Sequence, residues 1–201
     1  NGKGQTALHI VAEFGQLKML EVLFEVGGNY LDINCRDKDG WTPLHNAAAE
    51  GQTSCMRALI ERGADVNAEN AVGRTPLHCA ASKGQQPAVR TLLSVTGSKK
   101  AAGIDINKQD RSGWTALTCA SLHGHGNVLK TLLMEGADRD IEDLLGHTAA
   151  RYCEERIWTK IVEEVGLEST TNRRRGQKSS QRNSISSSYK EGASIATADA
   201  K

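Results

Sequence analysis

Three histidines are the residues best suited to chemistry: His9, His45 and His78 each end a Thr-x-Leu-His run. An imidazole can ligate a metal or carry a proton. A protein metal site, however, gathers several ligands, commonly two of them a few residues apart. Here each histidine stands alone in its run, with no second ligand type at metal-site spacing. The five cysteines, Cys35, Cys55, Cys79, Cys119 and Cys153, contain no Cys-x-x-Cys pair. Their odd number and scatter argue against a disulfide framework or a zinc site and for a reducing compartment. Cys79 and Cys119 fall at equivalent places in successive runs, which reads as small buried hydrophobes; a redox pair is the alternative. There is no glycine-rich phosphate loop, no nucleophile–base motif and no convergent pair of carboxylates. The sequence therefore predicts no catalysis, no cofactor and no metal.

What the histidines share is a place in an internal repeat. The runs are Thr6-Ala7-Leu8-His9, Thr42-Pro43-Leu44-His45, Thr75-Pro76-Leu77-His78, Thr115-Ala116-Leu117-Thr118 and, faintly, Thr148-Ala149-Ala150. Their threonines lie 36, 33, 40 and 33 residues apart. Gly4, Gly40, Gly73, Gly113 and Gly146 stand two places before them. A second signal follows downstream as Gly63-Ala64-Asp65-Val66-Asn67 and Gly136-Ala137-Asp138-Arg139-Asp140. Shorter versions end the first and third units, as Asp32-Ile33-Asn34 and Asp105-Ile106-Asn107.

The physics of one unit follows from its residues. Thr42 is placed to cap a helix, and Pro43 at the first helical position gives up only an N–H that would lack a partner. Leu44, Ala47 and Ala48 make a short helix with a small-residue face, and Gly51 ends it. Met56, Leu59 and Ile60 then fall at helical spacing on a second helix, which Gly63 ends. Residues 65–73 read as an extended hairpin. No such unit can bury its apolar face alone, so stability must come from stacking.

These motifs resemble the ankyrin-repeat family over about residues 1–167, and the stretch Asp37–Glu69 is close to its consensus. The resemblance implies an all-α ankyrin-repeat solenoid, with helix–turn–helix units joined by β-hairpin loops. Its repeats cover about 1–36, 37–69, 70–109 and 110–142, with a capping segment at 143–167. In the family the motif histidine hydrogen-bonds backbone near the inter-repeat turn, and Thr118 would make a similar bond less well. Ile157–Val165 reads as a last amphipathic helix, with Trp158 covering core. The first unit carries Ile10, Val11, Leu17, Leu20, Leu23 and Phe24, apolar for an end repeat. That composition and the start at Asn1 predict a fragment with another repeat or domain upstream.

Net charge is +1 over 201 residues, with 38% hydrophobic and only 4% aromatic residues, as a thin core of Leu, Ala and Val requires. No apolar run approaches the roughly 18–20 residues of a membrane span, so no membrane insertion is expected. Residues 168–201 hold seven basic and three acidic side chains, which leaves the repeats slightly acidic and gives no reason to expect nucleic-acid binding. This serine-rich stretch buries too little to order itself and is predicted to be a disordered tail. Its basic cluster, Arg173-Arg174-Arg175, reads as a solvated linker, a kinase target or a nuclear-import or anionic-surface patch. Ser179, Ser180, Ser184 and Ser186 are the phosphorylation candidates. The insertion Gly97–Gly103 reads as a solvated loop, with a partner contact as the alternative; a shorter one lies near Asn29-Tyr30-Leu31.

Function follows from the resemblance. Ankyrin partners usually lie on a concave face built from hairpin tips and the exposed edge of the inner helices. The matching positions here include Phe14, Lys38, Asp39, Trp41, Glu50, Arg74, Lys83, Arg111, Trp114 and His123. Trp41, Phe14, Trp114 and Arg74 are the preferred anchors, since aromatics and Arg dominate binding hot spots; each Trp can instead simply pack on its own hairpin. The expectation is a non-catalytic scaffold for another protein, monomeric as an isolated fragment, cytoplasmic or alternatively nuclear. The alternative is a regulatory segment of a larger enzyme or channel acting by intramolecular contacts.

Overall fold

The computed structural model describes residues 2–94 and 103–167. Most of the inserted loop and all of 168–201, including the four candidate serines, lie outside the described residues. The chain divides into two compact units, Asn1–Ile161 and Val162–Lys201. In the second, residues 162–164 finish a helix and the Leu167 amide donates to the Val162 carbonyl at 3.0 Å.

The first unit is two layers of helices. Short inner helices α1 (Ala7–Glu13), α3 (Pro43–Ala49), α5 (Pro76–Ser82) and α7 (Ala116–Leu122) alternate with outer helices α2 (Leu17–Gly27), α4 (Thr53–Glu61), α6 (Gln86–Ser94) and α8 (Gly126–Met134). Each inner helix packs on the next inner one and on its own outer partner, and the outer helices pack in the same order. The inner layer buries Leu8, Leu44, Leu77 and Leu117 beside alanines, which lets the short helices approach closely. The outer layer buries Leu20, Met56, Val89 and Leu129 at matching positions. Ile60 is only half buried.

The polar framework repeats as regularly as the core. Thr6, Thr42 and Thr75 start their helices in extended backbone, and the third helical residue of each is the motif histidine. The Thr amide donates to that histidine's Nδ1, at 3.2, 3.1 and 3.2 Å. Nδ1 is therefore an acceptor, and the proton sits on Nε2. Nε2–H then donates across to the next repeat, to the carbonyls of Trp41, Arg74 and Trp114, each at 2.9 Å. The histidine thus caps its own helix and ties it to the following hairpin.

Each hairpin is shaped by an Asp or Asn at its base. Oδ1 of Asp37, Asn70, Asp110 and Asp143 accepts the amides two and four residues ahead, at 2.8–3.1 Å. The tips are joined by single backbone bonds, Lys38 N to Lys3 O, Ala71 N to Asp39 O, Arg111 N to Val72 O and Leu144 N to Ser112 O. One bond per tip is too little for a ladder; among the described residues the isolated β-bridge Glu142–Thr148 is the nearest approach to a strand.

Beyond the outer helices a third set of bonds links the turns. Asn34, Asn67 and Asn107 accept the amides of Asp65, Asp105 and Asp138 at 2.8–3.0 Å. Asn67 also donates to the Gly103 carbonyl at 3.0 Å, so the register survives the insertion in the third repeat. In the first repeat the smaller insertion is a 3-10 turn, Gly28–Tyr30.

The fifth unit departs from the pattern. Where an inner helix would stand there is a 3-10 turn, Ala149–Tyr152, followed by α9 (Glu155–Glu164). α9 begins two residues earlier than the amphipathic pattern suggested, because Glu155 favours a helix N-terminus. Trp158 and Ile161 are buried. Thr118 turns back to Thr115, Oγ1 to Oγ1 at 3.2 Å, being too short to copy the histidine's reach. Other side chains hold this boundary: the Trp114 indole N–H donates to Asp143 Oδ2 at 3.2 Å, and the Tyr152 hydroxyl donates to the same carboxylate.

Two predictions follow from this framework. Gly40 has φ +74, and a Cβ there would meet the Ala71 amide nitrogen at 2.8 Å, whereas Gly63 has φ +91 and open space. Gly63→Ala should cost about 1–2 kcal/mol of left-handed strain, and Gly40→Ala at least ~1 kcal/mol more, measured by urea denaturation. Burial, partly offset by the bond to the Arg74 carbonyl, holds the His45 pKa down to about 4. Its ordinary value is 6.5, so the unfolded chain takes up a proton first and stability falls as pH drops from about 6.5 toward 4. His78 shifts in the same direction for the same reason. His45 alone should remove about 2 kcal/mol between pH 7 and pH 5, and His45→Gln should flatten that slope in denaturation curves.

Candidate functional site

The framework uses up most of the reactive groups that the sequence offers. Both ring nitrogens of His9, His45 and His78 are engaged, which leaves no lone pair for a metal or a substrate. All five cysteines are free thiols, with Cys55, Cys79 and Cys119 buried. Burial pushes the Cys79 and Cys119 thiols up to about 12, so both are protonated at neutral pH and are poor nucleophiles. Their environment is that of small core residues.

Hairpin tips and inner-helix edges meet at the start of the stack, where a pocket of about 270 Å³ is lined by the first two tips and by the edges of α1, α3 and the residue after α5. Of the residues expected on the face, it brings together Asp39, Trp41, Glu50 and Lys83. Asp39, Glu50 and Lys83 are exposed, and Trp41 is half buried with its ring 5.8 Å from that of His45. Phe14 is 66% exposed just after α1, an unusual position for a large aromatic side chain. Lys38 is exposed, with Nζ donating to the Gly2 carbonyl at 2.8 Å.

The remaining four of the expected set lie outside this pocket. Arg74 pairs with the buried carboxylate of Asp110 at 3.1 Å, and its guanidinium lies 5.6 Å from the Trp114 ring centre. Trp114 in turn bonds Asp143 and packs edge-on against Tyr152. These two residues are engaged in linking the third, fourth and fifth units, and each keeps only part of its surface open. Arg111 is exposed at its tip. His123 is exposed, donates from Nδ1 to the Cys119 carbonyl at 2.8 Å and stacks on His125.

Several surface residues were not singled out by sequence. Leu144 and Leu145 are 77% and 75% exposed at the fifth tip, where aliphatic side chains have no structural reason to stand. The signal for them was their register with Arg111 and Ser112. Asn46 lies in the pocket wall, and its signal was a polar amide in the small-residue run of α3, where α5 and α7 carry Cys79 and Cys119. Glu13, which the sequence did offer as an inner-helix surface position beside Phe14, lines the same pocket and accepts from the Asn46 amide at 3.3 Å. Among the described residues, no helix is long and apolar enough to cross a membrane.

Comparison with known proteins agrees with this geometry. A family model for ankyrin repeats, in three copies, matches residues 1–70 and 65–143. The chain is 44% identical over 62 residues to mouse SMC5-SMC6 complex localization factor protein 1, covering 31% of this chain and 6% of that one. It is 42% identical over 62 residues to mouse protein phosphatase 1 regulatory subunit 12A, with the same coverage. Human protein phosphatase 1 regulatory subunit 27 is also 42% identical over 62 residues, which is 38% of its length. The chain thus matches only a small part of the first two relatives. With the family model spanning well over half of its length, with paired helices in four repeats and with the histidine tie in the first three, the chain belongs to the ankyrin-repeat family.

Proposed function

We propose that this chain is a non-catalytic scaffold that binds a partner protein on the face made by the hairpin tips and inner-helix edges. The supporting observation is a division of roles along each repeat. The framework groups are buried and hydrogen-bonded, while the tip and edge positions change chemistry from repeat to repeat and leave large apolar side chains in water. Phe14, Val72, Leu122, Leu144 and Leu145 are all exposed on these elements. Exposed apolar groups among polar neighbours favour protein contact. Ankyrin repeats are general protein-interaction modules, and two of the relatives are named as regulatory subunits, a role that works through partners.

A second reading is a regulatory segment of a larger enzyme or channel that makes its contacts within the same protein. The 6% share of the long relatives favours it, because there the matched repeats are a small part of a larger chain. Phosphorylation at Ser179, Ser180, Ser184 or Ser186 would then reverse the charge of that stretch.

The test is quantitative capture from cell extract on the full chain. The variant Phe14→Ala/Glu50→Ala/Lys83→Ala changes three exposed face residues, and Lys18→Ala/Arg57→Ala changes two exposed outer-helix residues. Proteins retained by the wild type should fall at least about tenfold on the first variant and stay on the second. Equal retention by both variants would remove the face from consideration. Absence of any saturable partner, with folded bait, would favour contacts within a longer protein.

A further inference from the structure

We infer that the pocket between the first two hairpins receives a cationic side chain, lysine or arginine, from the partner protein. The inference deepens the docking-face reading above and rests on it. The pocket's wall is rich in acceptors. Glu13, Asp39 and Glu50 contribute carboxylates, and Asp37 adds a fourth whose Oδ1 is occupied by the Asp39 and Trp41 amides. Two ammonium groups, of Lys3 and Lys83, also line it, so the local balance is reduced but stays negative.

Acidic residues alone would carry little, but Asn46 supplies an independent sign. Its side chain is 6% exposed, and its amide nitrogen donates to Glu13 Oε2 at 3.3 Å. That bond fixes the orientation of the amide and leaves Oδ1 buried without a partner. A buried acceptor without a donor is costly and rare, and one just beneath a pocket wall favours a ligand that brings an N–H. The equivalent residues of α5 and α7 are Cys79 and Cys119, so this acceptor belongs to this pocket and not to the repeat framework.

The chemistry selects the ligand. An anion would meet the carboxylates, and an apolar side chain would leave Asn46 Oδ1 unsatisfied. A guanidinium or an ammonium brings several donors and a positive charge at once. Trp41, half buried in the same wall, adds an aromatic ring of the kind that attracts such a cation. The volume, about 270 Å³, has room for one long side chain.

The test is an NMR titration of the ¹⁵N-labelled full chain, read at the Trp41 indole N–H and the Asn46 side-chain amide. The probes are acetylated, amidated peptides Gly-Ser-Gly-X-Gly-Ser-Gly, with X lysine, arginine, citrulline or norleucine. Lysine and arginine peptides should shift both resonances saturably, and citrulline and norleucine should bind at least about tenfold more weakly. Glu13→Gln/Glu50→Gln should weaken the cationic peptides by a similar factor with its spectrum otherwise retained, and Lys18→Ala/Arg57→Ala should not. An equal response to norleucine, or no shift at these two groups with the cationic peptides, would overturn the assignment. If the face variant loses its captured proteins while no cationic peptide moves these resonances, the docking face stands and the cation pocket falls. If neither responds, both fall.

Discussion

The carbonyl oxygens of Trp41, Arg74 and Trp114 each accept two N–H groups, one from the base of their own hairpin and one from the histidine of the repeat before. The stacking of the first four repeats depends on that shared acceptor. A helix of seven residues has almost no stability of its own. It holds its shape because Thr and His saturate its first turn, and it holds its place because the same imidazole reaches the next unit. Burying a neutral histidine is the cost of doing both with one side chain, and it shows in the depressed pKa of His45.

Most of the fold was legible in the sequence for the same reason. The residues that build this link, Thr, Leu, His and the glycine before them, recur in fixed order at repeat spacing. The order breaks at Thr118, and there legibility ends. The sequence shows that the tie is lost but not what replaces it. The replacement, Trp114 and Tyr152 on Asp143, joins residues from three places with no shared motif. Tyr152 reaches the carboxylate only because Ala149–Tyr152 forms a 3-10 turn and not an inner helix.

The candidate face was legible by position and not by chemistry. Register alone located Asp39, Trp41, Glu50 and Lys83, and these do share a pocket. Register could not tell that Arg74 and Trp114, equally favourable by residue type, are occupied with Asp110 and Asp143. Which tip residues are engaged depends on partners in the neighbouring hairpin, and that is a property of pairs. Asn46 illustrates the opposite case, a residue that looks like a framework position and whose side chain has work left over.

The bonds of Asn67 to Gly103 and Asp105 have a consequence for how such a chain can change. They clamp the far end of the inserted stretch, and α6, packed against α4 and α8, holds the chain up to Ser94 at the near end, so the length of polypeptide between is not felt by the repeats on either side. Closing a longer loop costs only slowly more entropy. The position is therefore an open address: residues can be added or removed there, by evolution or by an engineer grafting a tag or a reporter, without re-indexing the rest of the stack.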